Sequence, residues 1–459
     1  MGNFRLLAVL VSGSVFVACN EAPPPAAAPA KPVTAAALCQ PRTAAFPPPA
    51  KLADWAQGAQ LFGDLGSFHR AITTQSEGAQ KYFDQGMRLV WGFNHDEATR
   101  AFVKAAQLDP ECASCWWGAA LTLGPNYNVP MLPDRAQAAW DAVNKARELA
   151  PKATPVEQAL IGAIARRYKG PEPLDPPGEQ PYIEAYAKAM REVAKKFPDD
   201  NDVQVMFAEA LMVSNPWKLW SLDGKPSPGT PEIVATLEKA LAREPNHPGA
   251  NHYYIHAMEA SPHPEKAVAA AERVAALMTG AGHIVHMPAH IYQRVGRYAD
   301  AERANREGAQ TDLAYMKRVA PQGYYGMYLA HNYDFQSFSA AMQGRSKLAI
   351  EAQRKTGEAA PKEFLDSIPG MDFFVAKVYM AQIRFGRWDE VLAERRRRTS
   401  IRCGPACTSL RTPTRSPPRA RSKLRPGRNW SWTHLSAACR PNSAPVTTRP
   451  KTSSITAQS

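Results

Sequence analysis

The chain contains no Gly-x-x-x-x-Gly-Lys loop to cradle a phosphate, no Gly-x-Ser-x-Gly elbow and no dinucleotide fingerprint, so the common nucleotide-binding and serine-hydrolase signatures are missing. Its N-terminal apolar run, Leu6–Ala18, falls short of the roughly 20 residues a bilayer-crossing helix needs. Cysteine is sparse. The seven are Cys19, Cys39, Cys112, Cys115, Cys403, Cys407 and Cys439, and only two of them lie in the body of the chain. Disulfides therefore cannot hold the fold, and stability must come from apolar burial, for which the roughly 340 residues between Ala50 and Glu394 suffice. Acidic residues are missing altogether from Arg395–Ser459, which holds 15 Lys and Arg. The whole chain carries 55 basic and 42 acidic residues for a formal net charge of +13, so the body is close to neutral and the excess belongs to that tail. The tail is rich in Ser, Thr and Pro, lacks apolar periodicity and begins inside a helical repeat. It reads as out-of-frame translation, with a disordered basic tail as the alternative.

What is present begins with an address. Arg5 supplies a positive n-region and Leu6–Ala18 a short apolar h-region, the pattern of an export signal. Phe16-Val17-Ala18-Cys19 resembles the lipobox of bacterial lipoproteins, which implies cleavage before Cys19 and lipidation of its thiol. An ordinary signal peptide cut after Ala18 is the alternative. Residues 21–50 are dominated by Pro and Ala, a composition that favours extended, solvated backbone. The expected organisation is a signal at 1–18, a tether at 19–50, a helical domain at 51–394 and the basic tail at 395–459. The expected location is extracytoplasmic, on a lipid anchor facing the periplasm. Export and a near-neutral body argue against nucleic acid as a partner.

Internal periodicity sets the fold. In the stretch Ala79–Pro110, Gly86, Ala98, Phe102, Ala105 and Pro110 occupy positions 8, 20, 24, 27 and 32 of a 34-residue unit, the tetratricopeptide repeat (TPR) pattern. Small residues at 8 and 20 let paired helices approach, an aromatic at 24 fills the gap to the next repeat, and proline ends the second helix. The spacing recurs: Ala267 and Ala301 both stand at position 20 of units that begin at Pro248 and Gly282. Turns are expected at Gly296, at Gly344-Arg345 and at Gly386-Arg387-Trp388. Pro-rich loops are expected at Gly124–Asp134 and Gly170–Pro181. Thr154-Pro155-Val156-Glu157 reads as a capping box opening a helix to Tyr168. The strings GFNHDEA, DPECASCWWGAALTLGPN, HYYIHAMEASPHPEKA and GAGHIVHMPAHIYQRVGRY resemble a group of exported bacterial TPR proteins, over most of residues 79–391. That resemblance implies an all-α solenoid of stacked antiparallel helix pairs and a compartment, and it names no reaction.

Repeat numbering brings out a histidine constellation. His252 and His256 fall at positions 5 and 9 of one unit, and His286 and His290 at the same positions of the next. Each pair is spaced i, i+4, which puts both imidazoles on one helix face. In TPR superhelices these positions line the concave, ligand-binding wall. Helices packed about 8–10 Å apart would let the two pairs face one another across a gap that one ion fills. Glu259 and His283 stand beside them, and His331 and Asp334 are expected on the following first helix. Imidazole is a good ligand for Zn, Cu, Ni or Fe, and a carboxylate can complete or orient the set. A metal with an open position would also permit hydrolytic or redox chemistry. Three readings stay open: a concave face binding a peptide, protein or small ligand; a metal site formed by His252, His256, His286 and His290; and imidazoles that only pack. Cys112-Ala113-Ser114-Cys115 lacks the context of a redox or haem motif and is expected to form a local disulfide. Asn94, His95 and Asp96 are expected to form a turn, and Trp116, Trp117 and Tyr127 either floor a groove or pack between repeats.

Overall fold

The computed structural model describes residues 49, 51–319, 324–361, 365 and 373–398. The signal segment, Cys19, the tether apart from residue 49, and the chain beyond 398 lie outside the described residues. Every named element among those described is helical, apart from one isolated bridge between Trp220 and Pro226. The α-helices are α1 (Glu77–Trp91), α2 (His95–Leu108), α3 (Ala113–Leu123), α4 (Ala136–Leu149), α5 (Pro155–Ile164), α6 (Pro176–Lys196), α7 (Asn201–Ser214), α8 (Thr230–Arg243), α9 (Pro248–Glu259), α10 (Val268–Leu277), α11 (Gly282–His286), α12 (Pro288–Arg294), α13 (Tyr298–Arg318), α14 (Gly326–Met342), α15 (Ser346–Ala359), α16 (Phe373–Arg384) and α17 (Trp388–Arg398). None of them is long and apolar enough to cross a membrane.

Local chemistry starts and stops these helices. The side chains of Ser76, Asn94, Asp175 and Asp200 each accept a hydrogen bond from a first-turn backbone N–H, satisfying a donor the helix itself leaves free. Thr154 and Glu157 form the reciprocal capping box at α5. That helix ends at Ile164 in a 3-10 turn, Ala165–Arg167, short of Tyr168. Gly296, Gly344 and Gly386 all adopt positive φ, at 80°, 73° and 65°, the left-handed turn that closes the first helix of a pair. The expected loop at Gly170–Pro181 is shorter than its composition suggests, because Asp175 caps a helix that starts at Pro176 and carries Pro181 within it. Pro176 and Pro177 lie in the first turn, where the N–H has no intrahelical partner, whereas Pro181 forgoes one intrahelical bond. The last of the described helices, α17, runs to Arg398.

Successive helices pack as neighbours, α1 on α2, α3 on α4, α13 on α14 and α14 on α15. Phe102 shows why the repeat pattern works: a Cβ on Gly86 would lie 2.5 Å from its ring, and one on Gly118 of α3 would lie 2.4 Å from it. The ring is thus clamped between two helices that only glycine lets so close. Cys112 and Cys115 are joined by a disulfide at the start of α3, with Cα atoms 5.4 Å apart.

The stack also turns back on itself. One apolar core runs from Trp55 to Tyr328, and α1 packs on α9 across more than 150 residues of sequence. The Gly280 N–H donates to the Asp64 carbonyl at 2.7 Å, the Tyr315 hydroxyl to Glu97 at 2.9 Å, and the Tyr324 hydroxyl to the Phe93 carbonyl at 3.2 Å. The inner wall of the α9–α14 repeats is therefore covered by the chain's own first repeat.

Candidate metal centre

Four helices supply the side chains. His252, His256 and Glu259 come from α9, His283 and His286 from α11, His290 from α12, and His331 from α14. Pro288 divides α11 from α12 because it has no N–H to give. Met287 between them still keeps helical angles, φ −52° and ψ −34°, so His286 and His290 remain on one face. The wall is closed: His252 and His286 are 0% exposed, and His256, His283 and His290 no more than 3%. Phe93 forms the cover. Its ring stacks on Tyr253, His256 and His283 at 5.4, 5.8 and 5.8 Å and lies 4.5 Å from His252. Phe93 holds φ +54°, a strained conformation for an aromatic residue, maintained by the packing around it. A Cβ on Gly249 would meet the Trp91 ring at 2.4 Å, so glycine there brings the α1 turn down onto α9.

Hydrogen bonds fix the tautomers. His252 Nδ1 lies 2.5 Å from the Trp91 carbonyl, His256 Nδ1 2.7 Å from Glu259 Oε1, and His290 Nδ1 2.6 Å from Glu259 Oε2. Each oxygen can only accept, so each Nδ1 carries the proton. His286 Nδ1 lies 2.6 Å from Asn305 Oδ1, and Asn305 is oriented by donating its amide N–H to the Ala301 carbonyl at 2.7 Å. In all four rings the Nε2 lone pair is left to face inward. This is the arrangement in which the far ring nitrogen of a metal ligand is tied to a carboxylate or carbonyl.

The inward nitrogens gather into two sets. His286, His290 and His331 present one ring nitrogen each within 4.8 Å of one another, and so do His252, His256 and His283. In the first set Nε2 of His286 is 2.9 Å from Nε2 of His290, which is 3.4 Å from Nε2 of His331. Ligands about 2.1 Å from one ion stand about 3.0 Å apart when cis in an octahedron and about 3.4 Å apart when tetrahedral. A third grouping, His256, Glu259 and His290, uses a carboxylate already engaged by both Nδ1 protons, so Glu259 acts as a clamp between the two sets. Burial holds His252, His283 and His286 well below the usual imidazole pKa, and His331 down to about 3. Burial alone would raise the Glu259 carboxyl, but His290 and His256 hold it well below the usual carboxylate range.

The expected residues thus come together in a different grouping. His252, His256, His286 and His290 do not form one convergent group; they divide between two triads, and Glu259 holds the Nδ1 sides of His256 and His290. His283 joins one pair and His331 the other. Asp334 is not at the site; it accepts from Lys377 Nζ at 2.5 Å and Gln353 at 3.2 Å. Trp117 is buried in the core against Phe83, whereas Tyr127 reaches the site, 5.4 Å from the His256 ring and stacked on Trp217 at 5.0 Å. Tyr127, Trp217, His256, Glu259, His290 and Phe335 line a cleft of about 260 Å³ that reaches the centre from outside. Asn305, Phe93 and the Trp91 carbonyl are not legible as site groups from residue type. One signal was there for Asn305: it stands at position 24 of the unit from Gly282, where the first unit has Phe102.

No family model matches the sequence, and no curated protein matches it. Among solved structures it is similar to the TPR domain of P58(IPK), at 12% identity over 69% of this chain and 98% of that one, with a TM-score of 0.19. At that score the fold described above rests on this chain's own helices.

Proposed function

We propose that this protein is a metal-binding helical-repeat protein whose primary site is His286, His290 and His331, filled by a first-row transition ion such as Zn, Cu or Fe. The observation that carries this is the 2.9 Å approach of His286 Nε2 to His290 Nε2, in two rings whose protons are both committed at Nδ1. Two lone pairs at that distance repel, and only a cation relieves the contact. A proton can serve two nitrogens, and with His331 Nε2 3.4 Å from that of His290 the three together suit a metal. The covered inner wall favours this reading over a peptide groove at these residues, and the adjoining cleft is of a size for a small molecule.

Metal analysis of the full chain purified without a His tag tests it. At least one equivalent of transition metal is expected per chain, with loss in His286→Gln/His290→Gln while the helical circular dichroism is kept. Metal-free protein that takes up no added Zn(II) would falsify the proposal. We further propose that the protein works outside the cytoplasm on a lipid carried by Cys19, an expectation drawn from residues 5–19. Incorporation of labelled fatty acid in the expressing cell, abolished by Cys19→Ala, is the expected result; equal labelling of the variant rejects it.

A further inference from the structure

The second set of imidazoles differs from the first in what it lacks. His252 Nε2, His256 Nε2 and both ring nitrogens of His283 are buried and have no hydrogen-bond partner in the protein. Leaving a polar atom buried and unpaired is unfavourable, and four such nitrogens in three touching rings are a concentration that folding alone does not favour. His247, a buried histidine at the start of α9, shows the contrast: its Nε2 meets Asp202 at 3.0 Å and its Nδ1 accepts from the Ala250 N–H at 3.1 Å. His95, buried in α2, leaves only one ring nitrogen, Nδ1, without a partner. Two of the three ring pairs of the second set are also spaced for coordination. Imidazoles on one ion have centroids about 4.5–5.2 Å apart, from a metal–nitrogen distance of about 2.1 Å. His252 stands at such separations from both partners, 4.9 Å from His256 and 5.0 Å from His283, while His256 and His283 are 6.1 Å apart, wider than that range. Those of the first set are 4.8, 4.8 and 5.5 Å.

We infer that His252, His256 and His283 hold a second first-row transition ion, so that the centre is dinuclear with three imidazoles on each ion. This rests on the reading of the first site given above. The two sets abut, with His256 and His290 centroids 5.2 Å apart and His283 and His286 5.7 Å apart. Glu259 binds them into one unit, since its two oxygens orient one ligand of each ion. His256 and His290 both line the cleft, so both ions face the same mouth. Phe93 lies over the second set alone and shields it from water on the α1 side.

The test is a titration of the metal-stripped, tag-free full chain with Zn(II), followed by gel filtration and metal analysis. Two equivalents per chain are expected in the wild type, one in His252→Gln and in His283→Gln, and one in His331→Gln. A wild type that stops at one equivalent, unaffected by His283→Gln but lost with His331→Gln, overturns the second site and leaves the first standing. Uptake of none removes both. A second equivalent that survives both His252→Gln and His283→Gln is an ion on the surface and also overturns the inference. Cu(II) provides a measure independent of variant folding: two equivalents in the wild type are expected to give an electron paramagnetic resonance signal broadened or lost through coupling of the pair. Two unperturbed isolated signals overturn the pairing.

Discussion

Glu259 accepts from His256 with one carboxylate oxygen and from His290 with the other, at 2.7 and 2.6 Å, so both rings depend on a single side chain for their orientation. Glutamine keeps the shape but replaces one acceptor with an N–H donor that would face a histidine proton. Glu259→Gln is therefore expected to weaken metal affinity by about 10- to 100-fold, the usual effect of removing a partner behind a metal ligand. Chelator competition measures this, and an affinity within about twofold of wild type would show that the carboxylate is not a clamp. A second carboxylate, Glu209, lies away from the centre in α7. Burial pushes it up to about 7, with the Arg167 charge pulling the other way. Because its folded pKa exceeds its unfolded value, the neutral acid's contribution to stability is complete below about pH 4.5 and is lost as pH rises through about 7. Glu209→Gln in metal-stripped protein should raise the melting temperature relative to wild type more at about pH 8 than at about pH 4.5, by an amount worth up to about 3 kcal/mol. An equal offset at both values would rule out titration of this group.

At the scale of elements, the contact between α1, α2 and α3 turns on one ring. Phe102 is fully buried, and the two glycines around it have no side chain to close a gap if it is removed. Phe102→Ala is expected to cost about 3–5 kcal/mol, read from denaturant midpoints at constant slope. A loss below about 1 kcal/mol would mean that the helices collapse onto the space without strain. The same geometry governs α11 and α13, where a Cβ on Gly308 would lie 2.9 Å from the His286 Cβ and from the Gly282 carbonyl. That close approach is what lets Asn305 reach His286. The repeat pattern was readable in both places, since Gly86, Ala98 and Phe102 announce it in the first unit and Ala267 and Ala301 in the later ones. The substitution of Asn305 for the aromatic at position 24 was equally visible. Its partner was not, because the partner lies on a different helix.

Across the whole molecule, the closure of the first repeat onto α9–α14 changes how the stack should unfold. A linear array loses repeats one at a time from its ends. Here α1–α3 are tied to distant helices through Tyr315 on Glu97, Tyr324 on Phe93 and His252 on Trp91. The amides of α1–α3 and of α9–α14 are expected to share one opening free energy in native-state hydrogen exchange, and Phe93→Ala should lower both. Exchange of α1–α3 at unchanged protection of α9–α14 would show that the two parts behave as separate units.

The sequence by itself determined the helical repeat, its turns, its caps and the four histidines at matching positions, because those follow from contacts within about one repeat: spacing of small and large residues, a proline, a glycine with positive φ. Tertiary structure alone decided how the imidazoles divide. Trp91 is 161 residues from His252 and Glu259 is 31 from His290, and no periodicity encodes which ring nitrogen an oxygen so far along the chain will hold. Nor does it encode that Phe93, a turn residue of the first unit, seals the inner wall. These outcomes depend on how tightly the stack curls, the sum of many small interhelix angles that only the packed side chains fix.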